Sequence, residues 1–323
     1  GKQVNATTKE VVDEFVEGAT SREYQLSGRL MTVRGHGKTV FANMQDRAGS
    51  LQIYIKQDVV GDEVFANFNT GIMFNPFGWA GQIKVAQKLS PDLTLSVVAY
   101  KDREFQTANA TGASANSATF NSSMPTFHGQ LQYKKKNITA GIGAEYQSLK
   151  PVIESGGLAS DETVNSGMYF GYFKYANEKI ITKFYGISGG NLHHLVMLGG
   201  FAGYTESNGQ ESYKPTKTSA FWVDIASANA KIAPGVFFGY TKNDGVDSGY
   251  KNLYIRGASA GRVIDNVWRA SARVDFKQNK FSVSPEIEYT SAKWGDVNAE
   301  GKAQNNLKEV GNFRGMVRVM YSF

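Results

Sequence analysis

The feature that most constrains this chain is an alternation of apolar and polar residues with a period of two, held in long runs from about residue 69 onward. In 137–146, Ile138, Ala140, Ile142, Ala144 and Tyr146 fall on one face, and Thr139, Gly141, Gly143 and Glu145 on the other. In 267–277, Trp268, Ala270, Ala272, Val274 and Phe276 oppose Arg269, Ser271, Arg273, Asp275 and Lys277. In 281–289, Phe281, Val283, Pro285, Ile287 and Tyr289 oppose Ser282, Ser284, Glu286 and Glu288. A strand sends successive side chains to opposite faces, so these runs predict strands.

A soluble sandwich alternates as well, but its apolar side fills a shared core and its polar side meets open water. Here the apolar faces carry small Ala and Gly among aromatics near strand ends, as expected of a lipid-facing band with interfacial girdles. The other faces set Arg269 and Arg273 beside Glu286 and Glu288, which suits a water-filled lumen crossed by ion pairs. The expected fold is all-β, an antiparallel transmembrane β-barrel of the outer-membrane type. The 35 Gly, 16 Tyr and 20 Phe against 7 Pro fit many strands and turns. Mean hydropathy is −0.34 and no apolar run reaches about 18 residues, so no transmembrane helix is expected. Cysteine is absent, which removes disulfides, zinc–thiolate sites and thiol catalysis. No leader opens the chain, so an exported form is expected to be a processed one.

About twelve strands are expected in 69–323: near 81–89, 92–101, 127–136, 137–147, 166–176, 178–188, 194–205, 218–229, 231–242, 265–277, 279–291 and 311–323. Short turns such as Lys136-Asn137 and Gln278-Asn279 alternate with longer polar loops at 102–126, 148–165, 206–217, 242–264 and 291–310. Short turns on one side and long loops on the other is the asymmetry of an outer-membrane barrel. In the closing run NFRGMVRVMYSF, Phe313, Gly315, Val317, Val319, Tyr321 and Phe323 alternate with Arg314, Met316, Arg318, Met320 and Ser322. A last amphipathic strand ending on an aromatic residue resembles the signal by which assembly machinery recognises such barrels, which assigns that role to Tyr321 and Phe323.

The stretches NTGIMFNPFG, SLKP at 148–151, HLVMLGGFAGY followed by TSAFWVDI, PGVFFGYTKN at 234–243 and EIEYTSAKWGD at 286–296 resemble an outer-membrane porin family of Bacteroidetes, in its C-terminal part. The resemblance implies a passive diffusion channel for small hydrophilic solutes, without catalysis and without a cofactor. Its partners would be outer-membrane lipid and lipopolysaccharide, the assembly machinery, further copies of itself or other outer-membrane proteins. Arg269, Arg273, Arg314 and Arg318, with Glu286 and Glu288, are the expected charged wall of the pore. Mild anion preference is expected of it.

Residues 1–68 behave differently. A short helix over 7–17 is capped by Thr7 or Thr8 and carries the stripe Val11, Val12, Phe15 and Val16. Short strands follow: 24–34, then a Gly35-His36-Gly37 turn, 38–46, an Ala48-Gly49 turn, and 50–58. The run SGRLMTVRGHGKTVFANMQDRAGSLQIYIKQD resembles the opening strands of the OB-fold anticodon-binding domain of lysyl-tRNA synthetases. In that family an aromatic residue stacks an anticodon base and a Gln on the next strand helps to read it. The matching positions are Phe41 and Gln52, with Arg34 a weaker candidate for backbone contact. The alternative is a core Phe41 and a solvated Gln52. The class II catalytic motifs are not seen, so aminoacylation is not expected.

The two parts do not read as one evolved polypeptide. A composite sequence is the favoured reading, with a fusion or a barrel carrying an added N-terminal domain as alternatives. In a composite, residues 1–68 would trace further wall strands. Charge divides along the same line: residues 1–68 carry 8 Lys/Arg against 9 Asp/Glu, and the rest 27 against 20. A basic surplus fits nucleic acid, an anionic surface or an anion-favouring pore, and does not choose among them.

No catalytic or metal constellation stands out. His36 is assigned to a turn and His128 to a strand start. His193 and His194 are adjacent, so on a strand they would point to opposite faces and could not share a metal. Glu286 and Glu288 share a face, but lumen charge is the favoured use of such a pair over acid–base catalysis. Two other function classes remain: an RNA-binding OB module in 1–68, and a plugged barrel serving as a structural subunit of a larger complex.

Overall fold

A computed structural model describes residues 7–13, 29–36, 39–45, 48, 50–56, 73–78, 80–102, 108, 110, 117–228, 230–279 and 281–321. The chain forms two compact units, Gly1–Asp62 and Glu63–Phe323.

In the first unit, α1 (Thr8–Asp13) precedes a three-stranded antiparallel sheet of β1 (Arg29–His36), β2 (Thr39–Gln45) and β3 (Ser50–Lys56). The helix starts on a capping box. Glu10 N donates to Thr7 Oγ1 at 3.3 Å, and Thr7 N donates back to the Glu10 carboxylate at 2.7 Å. Residues 14–17 of the expected helix lie outside the described residues. Strand β1 runs through Gly35 and His36, which were expected in a turn; Gly37 lies outside the described residues. Among the described residues β1–β3 pair with one another in the order β1-β2-β3.

The second unit is a wall of antiparallel strands, each hydrogen-bonded to the next in chain order. They are β4 (Gly81–Ser90), β5 (Leu93–Lys101), β6 (Thr126–Lys135), β7 (Ile138–Leu149), β10 (Val164–Ala176), β11 (Ile180–Gly190), β14 (Lys217–Ser227), β15 (Ile232–Gly245), β18 (Arg262–Gln278), β19 (Phe281–Val297) and β20 (Ala303–Tyr321). The two-residue β17 (Ala258–Ser259) joins β18 as the twelfth strand of this sheet. Among the described residues β4 and β20 each pair with one wall neighbour.

Short connections have local causes. Lys136 and Asn279 take left-handed backbone (φ 48° and 54°) in their turns. Asn177 Oδ1 accepts from the N–H groups of Lys179 and Ile180, both at 2.8 Å, closing an Asx-type turn.

The expected strand at 194–205 is not a wall strand. Leu192–Leu195 form a 3-10 helix, and β12 (Gly199–Thr205) pairs with β13 (Glu211–Pro215) and β16 (Asn252–Arg256) in a separate sheet. The apolar run LVMLGG does not alternate, so nothing in it fits a wall that needs one wet and one lipid-facing side. The expected loop at 291–310 is mostly strand, because β19 and β20 extend to Val297 and back from Ala303. Within the remaining long loop 148–165, β8 (Glu154–Ser155) and β9 (Leu158–Ala159) form a small hairpin.

The alternation is inside-out relative to a soluble protein. On β19 Glu286 and Glu288 are 2% and 4% exposed, while Ile287 between them is 56% exposed. On β7 Glu145 is buried and Ile142 is 66% exposed. Trp268, Tyr289, Phe221, Phe238 and Tyr240 lie in a band on the outer face, with neighbouring ring centroids 5.4–6.4 Å apart. Charge enclosed and hydrocarbon displayed is the arrangement a sheet adopts when its outer solvent is lipid, and it defines this unit as a β-wall of the outer-membrane barrel type. No helix among the described residues is long and apolar enough to cross a membrane.

Candidate functional site

The inner face of the wall has two zones. Towards the short turns it is charged. Arg273 (β18) grips Asp224 (β14) with two bonds, Nη1 to Oδ2 at 2.7 Å and Nη2 to Oδ1 at 3.1 Å, and both side chains are buried. Such a fork fixes the angle between two side chains as well as neutralising them. Glu288 lies between two arginines: its Oε1 is 3.0 Å from Arg314 Nη2 and 3.4 Å from Arg269 Nε. Arg269 Nε also donates to Thr290 Oγ1 at 2.8 Å, and its guanidinium lies 5.4 Å from the Phe74 ring centroid. Glu286 faces Arg273 across β18–β19, and Arg318 faces Ser284 across β19–β20. All six residues expected to line a pore are thus on one face. Five of them lie in one neighbourhood, with Arg318 exposed and nearer the short β18–β19 turn.

Towards the long loops the inner face is apolar and covered. Rings on β6, β10, β11, β14 and β15 form a row: His128 (β6) stacks on Phe170 (β10) across β7 at 5.2 Å, and Phe170–Tyr185, Tyr185–Trp222 and Trp222–Phe237 each follow at 6.1 Å. Gly141 and Gly143 on β7 make room for it, since a Cβ at either position would enter the ring of Tyr172 or Phe170. Two segments fold inward onto this row. One brings Phe74, the other Leu192, Leu195, Met197 and Leu198, and together they bury a continuous apolar cluster. Phe77 N donates to Leu195 O at 2.9 Å, and Trp222 Nε1 donates to Asn75 Oδ1 at 3.0 Å. Asn191 and Val196 bracket the inward turn in left-handed backbone (φ 51° and 61°). For a β-branched Val this is a strained conformation that only strong surrounding contacts maintain.

The inward segment is latched to the wall by a buried carboxylate. His194 Nε2 donates to Glu145 Oε1 at 2.8 Å and its Nδ1 donates to Asn191 O at 2.8 Å. His128 Nδ1 lies 3.2 Å from the other oxygen, Oε2. Gln147 ties Asn191 and Asp102 into the same network, at 2.8 Å each. Burial alone would push the His194 imidazole down, but the Glu145 carboxylate, with Asp102 behind it, outweighs burial and holds it up at about 9. The latch therefore works as an ion pair at neutral pH.

Sequence reasoning missed the latch. It placed His194 on a strand, whereas a 3-10 turn carries it inward. The available signal was the loss of alternation in LHHLVMLGG. Among the described residues no group of three or more metal-type side chains converges. At the last strand, Tyr321 pairs with Phe281 in register, and Phe323 lies outside the described residues. In the first unit the register sets Arg34 opposite Phe41, Asn43 two positions along from Phe41, and Gln52 opposite Asn43. Positions 34, 41 and 52 therefore share one face of that sheet.

No family model matches the chain. A short segment is similar to lysine–tRNA ligases. The match to the Enterococcus faecalis protein is 40% identical over 82 residues, 25% of this chain and 16% of that protein. The match to the Staphylococcus aureus protein is 49% identical over 53 residues, 16% of this chain and 11% of that protein. The chain thus spans about a sixth or less of the length of these curated relatives. Among solved structures, an anion-selective porin from Comamonas acidovorans aligns over 88% of this chain and 78% of its own, at 9% identity and a TM-score of 0.46. OmpT, an outer-membrane protein of Vibrio cholerae, aligns over 88% and 80%, at 11% identity and a TM-score of 0.42. The fold rests on the wall's own pairing and its inside-out alternation, not on likenesses of this size.

Proposed function

We propose that residues 63–323 form a porin-like channel of the bacterial outer membrane, passing small hydrophilic solutes by diffusion and doing no chemistry on them. The observation that carries this reading is the enclosure of Asp224, Arg273, Glu286 and Glu288 behind an outward band of Ile, Val, Phe and Tyr. Enclosed charges of both signs cost free energy in a core that excludes water, and are stable where water and counter-charges share the space. The final strand would present itself to the assembly machinery, and the outer band would meet lipid, lipopolysaccharide or further copies of the chain. Purified protein in planar bilayers should give discrete conductance steps with a mild preference for anions. Strong cation selectivity in reversal-potential measurements would contradict the reading of the lumen.

The inward segments favour a second reading, a barrel closed at rest or serving as a structural subunit. The apolar cluster of Phe74, Leu192, Met197 and Trp222 covers the inner face towards the long loops. Absence of conductance in the wild type, with steps appearing in His194→Ala, would select it. For the first unit we propose RNA binding only as far as its similar segment goes: retention of tRNA on filters, reduced by Phe41→Ala, is what that reading requires.

A further inference from the structure

The outer face of the wall carries an inference that rests on that face meeting lipid, and not on whether the wall conducts. Across β6, β7, β10 and β11 the outer face is hollowed into an apolar groove of about 480 Å³, a volume ordinary for a small-ligand site. The register lays it out in rows. Its floor is the row Leu131, Ile142, Gly171 and Gly186, where the two glycines stand directly opposite each other across β10–β11. One row nearer the short turns, Phe173 faces Phe184 and Tyr133 faces Ala140. The side chains of Tyr133, Ile142, Phe173 and Phe184 are exposed and wall the groove.

Neither packing nor backbone calls for glycine at this floor. A Cβ added at Gly171 would come no closer than 3.6 Å to a neighbouring atom, and one at Gly186 no closer than 3.7 Å, both ordinary contacts. Neither residue takes left-handed backbone. Gly141 and Gly143 on β7 differ, since a Cβ there would come within 2.4 and 2.3 Å of the rings of Tyr172 and Phe170. Glycine inside a strand weakens the sheet, and one reason for it is the close approach of a ligand. The groove leads towards the short turns. Ala140 sits between Tyr133 and Phe173 in register and leaves a gap between their rings. The next row is Lys135, Ile138 and Tyr175. From Gly171 to Tyr175 is about 13 Å of strand. At this end Lys135, Lys136 and Lys179 stand against Asp92 and Glu178, with Lys135 3.0 Å from Asp92, so a positive surplus remains.

We propose that this groove is a lipid site, holding one acyl chain of an anionic glycerophospholipid with its phosphate at the Lys135–Lys136 turn. The trough is narrow and apolar along its length and ends at lysines and the Tyr175 hydroxyl, which matches a hydrocarbon chain carrying an anionic head. Lysine stems lie along apolar surface while their ammonium groups reach the interface, and basic residues at that level attract anionic lipid. A second copy of the chain fits less well. Copies in one membrane share an orientation, so its own basic turns would stand at the same height, like charge against like.

The test uses the full chain in neutral detergent, equilibrated with a mixture of phosphatidylglycerol and phosphatidylcholine and read by native mass spectrometry. The wild type should retain one phosphatidylglycerol per chain in preference to phosphatidylcholine. Gly171→Leu/Gly186→Leu fills the floor from the lipid side and should lower that occupancy about tenfold, the effect of giving up roughly two methylenes of apolar contact. Its gel mobility before and after heating should match the wild type; if it does not, Gly186→Leu alone is read in the same way. Lys135→Gln/Lys136→Gln should keep a bound lipid and lose the preference for phosphatidylglycerol. Wild-type occupancy in the folded Leu variants overturns the site. A Leu variant that changes oligomeric state and keeps its lipid overturns it too, and makes the groove an interface between copies. Retention of lipid A in place of phosphatidylglycerol, when both are offered, overturns the choice of lipid. Failure of the channel reading looks different: no conductance in planar bilayers, with lipid retention that still depends on Gly171 and Gly186.

Discussion

The two zones of the inner face are built from the same strands by opposite means. Towards the long loops, inward positions on β10, β11 and β14 are Phe170, Tyr185 and Trp222, and two segments fold in to cover them. Towards the short turns, Lys174 lies inward four residues beyond Phe170, and Lys183 and Asp224 lie inward two residues from Tyr185 and Trp222. Period two decides which way a side chain points, and the residue placed there decides whether the space is filled or left wet. A wall can therefore be a packed core at one height and an aqueous passage at another. The inward segment is then set on the aromatic row by packing and held in place by one ionic latch.

Breaking the packed zone should cost most. Trp222→Ala removes a buried indole and its bond to Asn75, and should destabilise the fold by about 3–5 kcal/mol. A lowered midpoint of urea unfolding, followed by tryptophan fluorescence or gel mobility, would show it. Breaking the charged zone comes next. Arg273→Met leaves Asp224 buried without its fork and should cost about 3 kcal/mol or more, whereas Arg273→Met with Asp224→Leu should recover much of it. If the double variant is no better than the single one, the fork is not what makes that residue matter.

The latch should respond to pH. The His194 value is raised in the folded state, so its contribution is fully present below the unfolded imidazole value near 6.5 and is lost as pH rises through about 9. The groups facing it are Glu145, Asp102, Asn191 and, across the carboxylate, His128. Conductance should rise between about pH 8 and pH 10 in the wild type and be insensitive over that window in His194→Ala. A wild type with no change across it would detach the latch from gating. At the small end, Lys214→Ala breaks the exposed pair with Asp247 and the contact of its ammonium with the Tyr204 ring, so the unfolding midpoint should fall only slightly.

Much of the wall was legible in the sequence because alternation is local: each residue's face follows from its neighbours two positions away. Arg269, Arg273, Glu286 and Glu288 came out on one face for that reason. The inward turn was not legible, since LHHLVMLGG lacks alternation and its fold depends on Glu145 nearly fifty residues earlier. The extension of β19 and β20 through polar residues escaped for a related reason. Beyond the lipid-facing band, strands need no apolar side to stay paired.

The sheet's two faces, apolar towards lipid and charged towards an enclosed space, can be probed directly by site-specific labelling. The chain has no cysteine, so single-cysteine variants at 281–289 can be labelled one at a time without background. With the protein in lipid vesicles, a fluorophore attached at 283, 285, 287 or 289 should be quenched by spin-labelled acyl chains, and one at 282, 284, 286 or 288 should be quenched by an aqueous reagent. Alternation of the two quenching patterns along this strand is the predicted result. Aqueous quenching at every position, or lipid quenching on the Glu286–Glu288 face, would contradict the account.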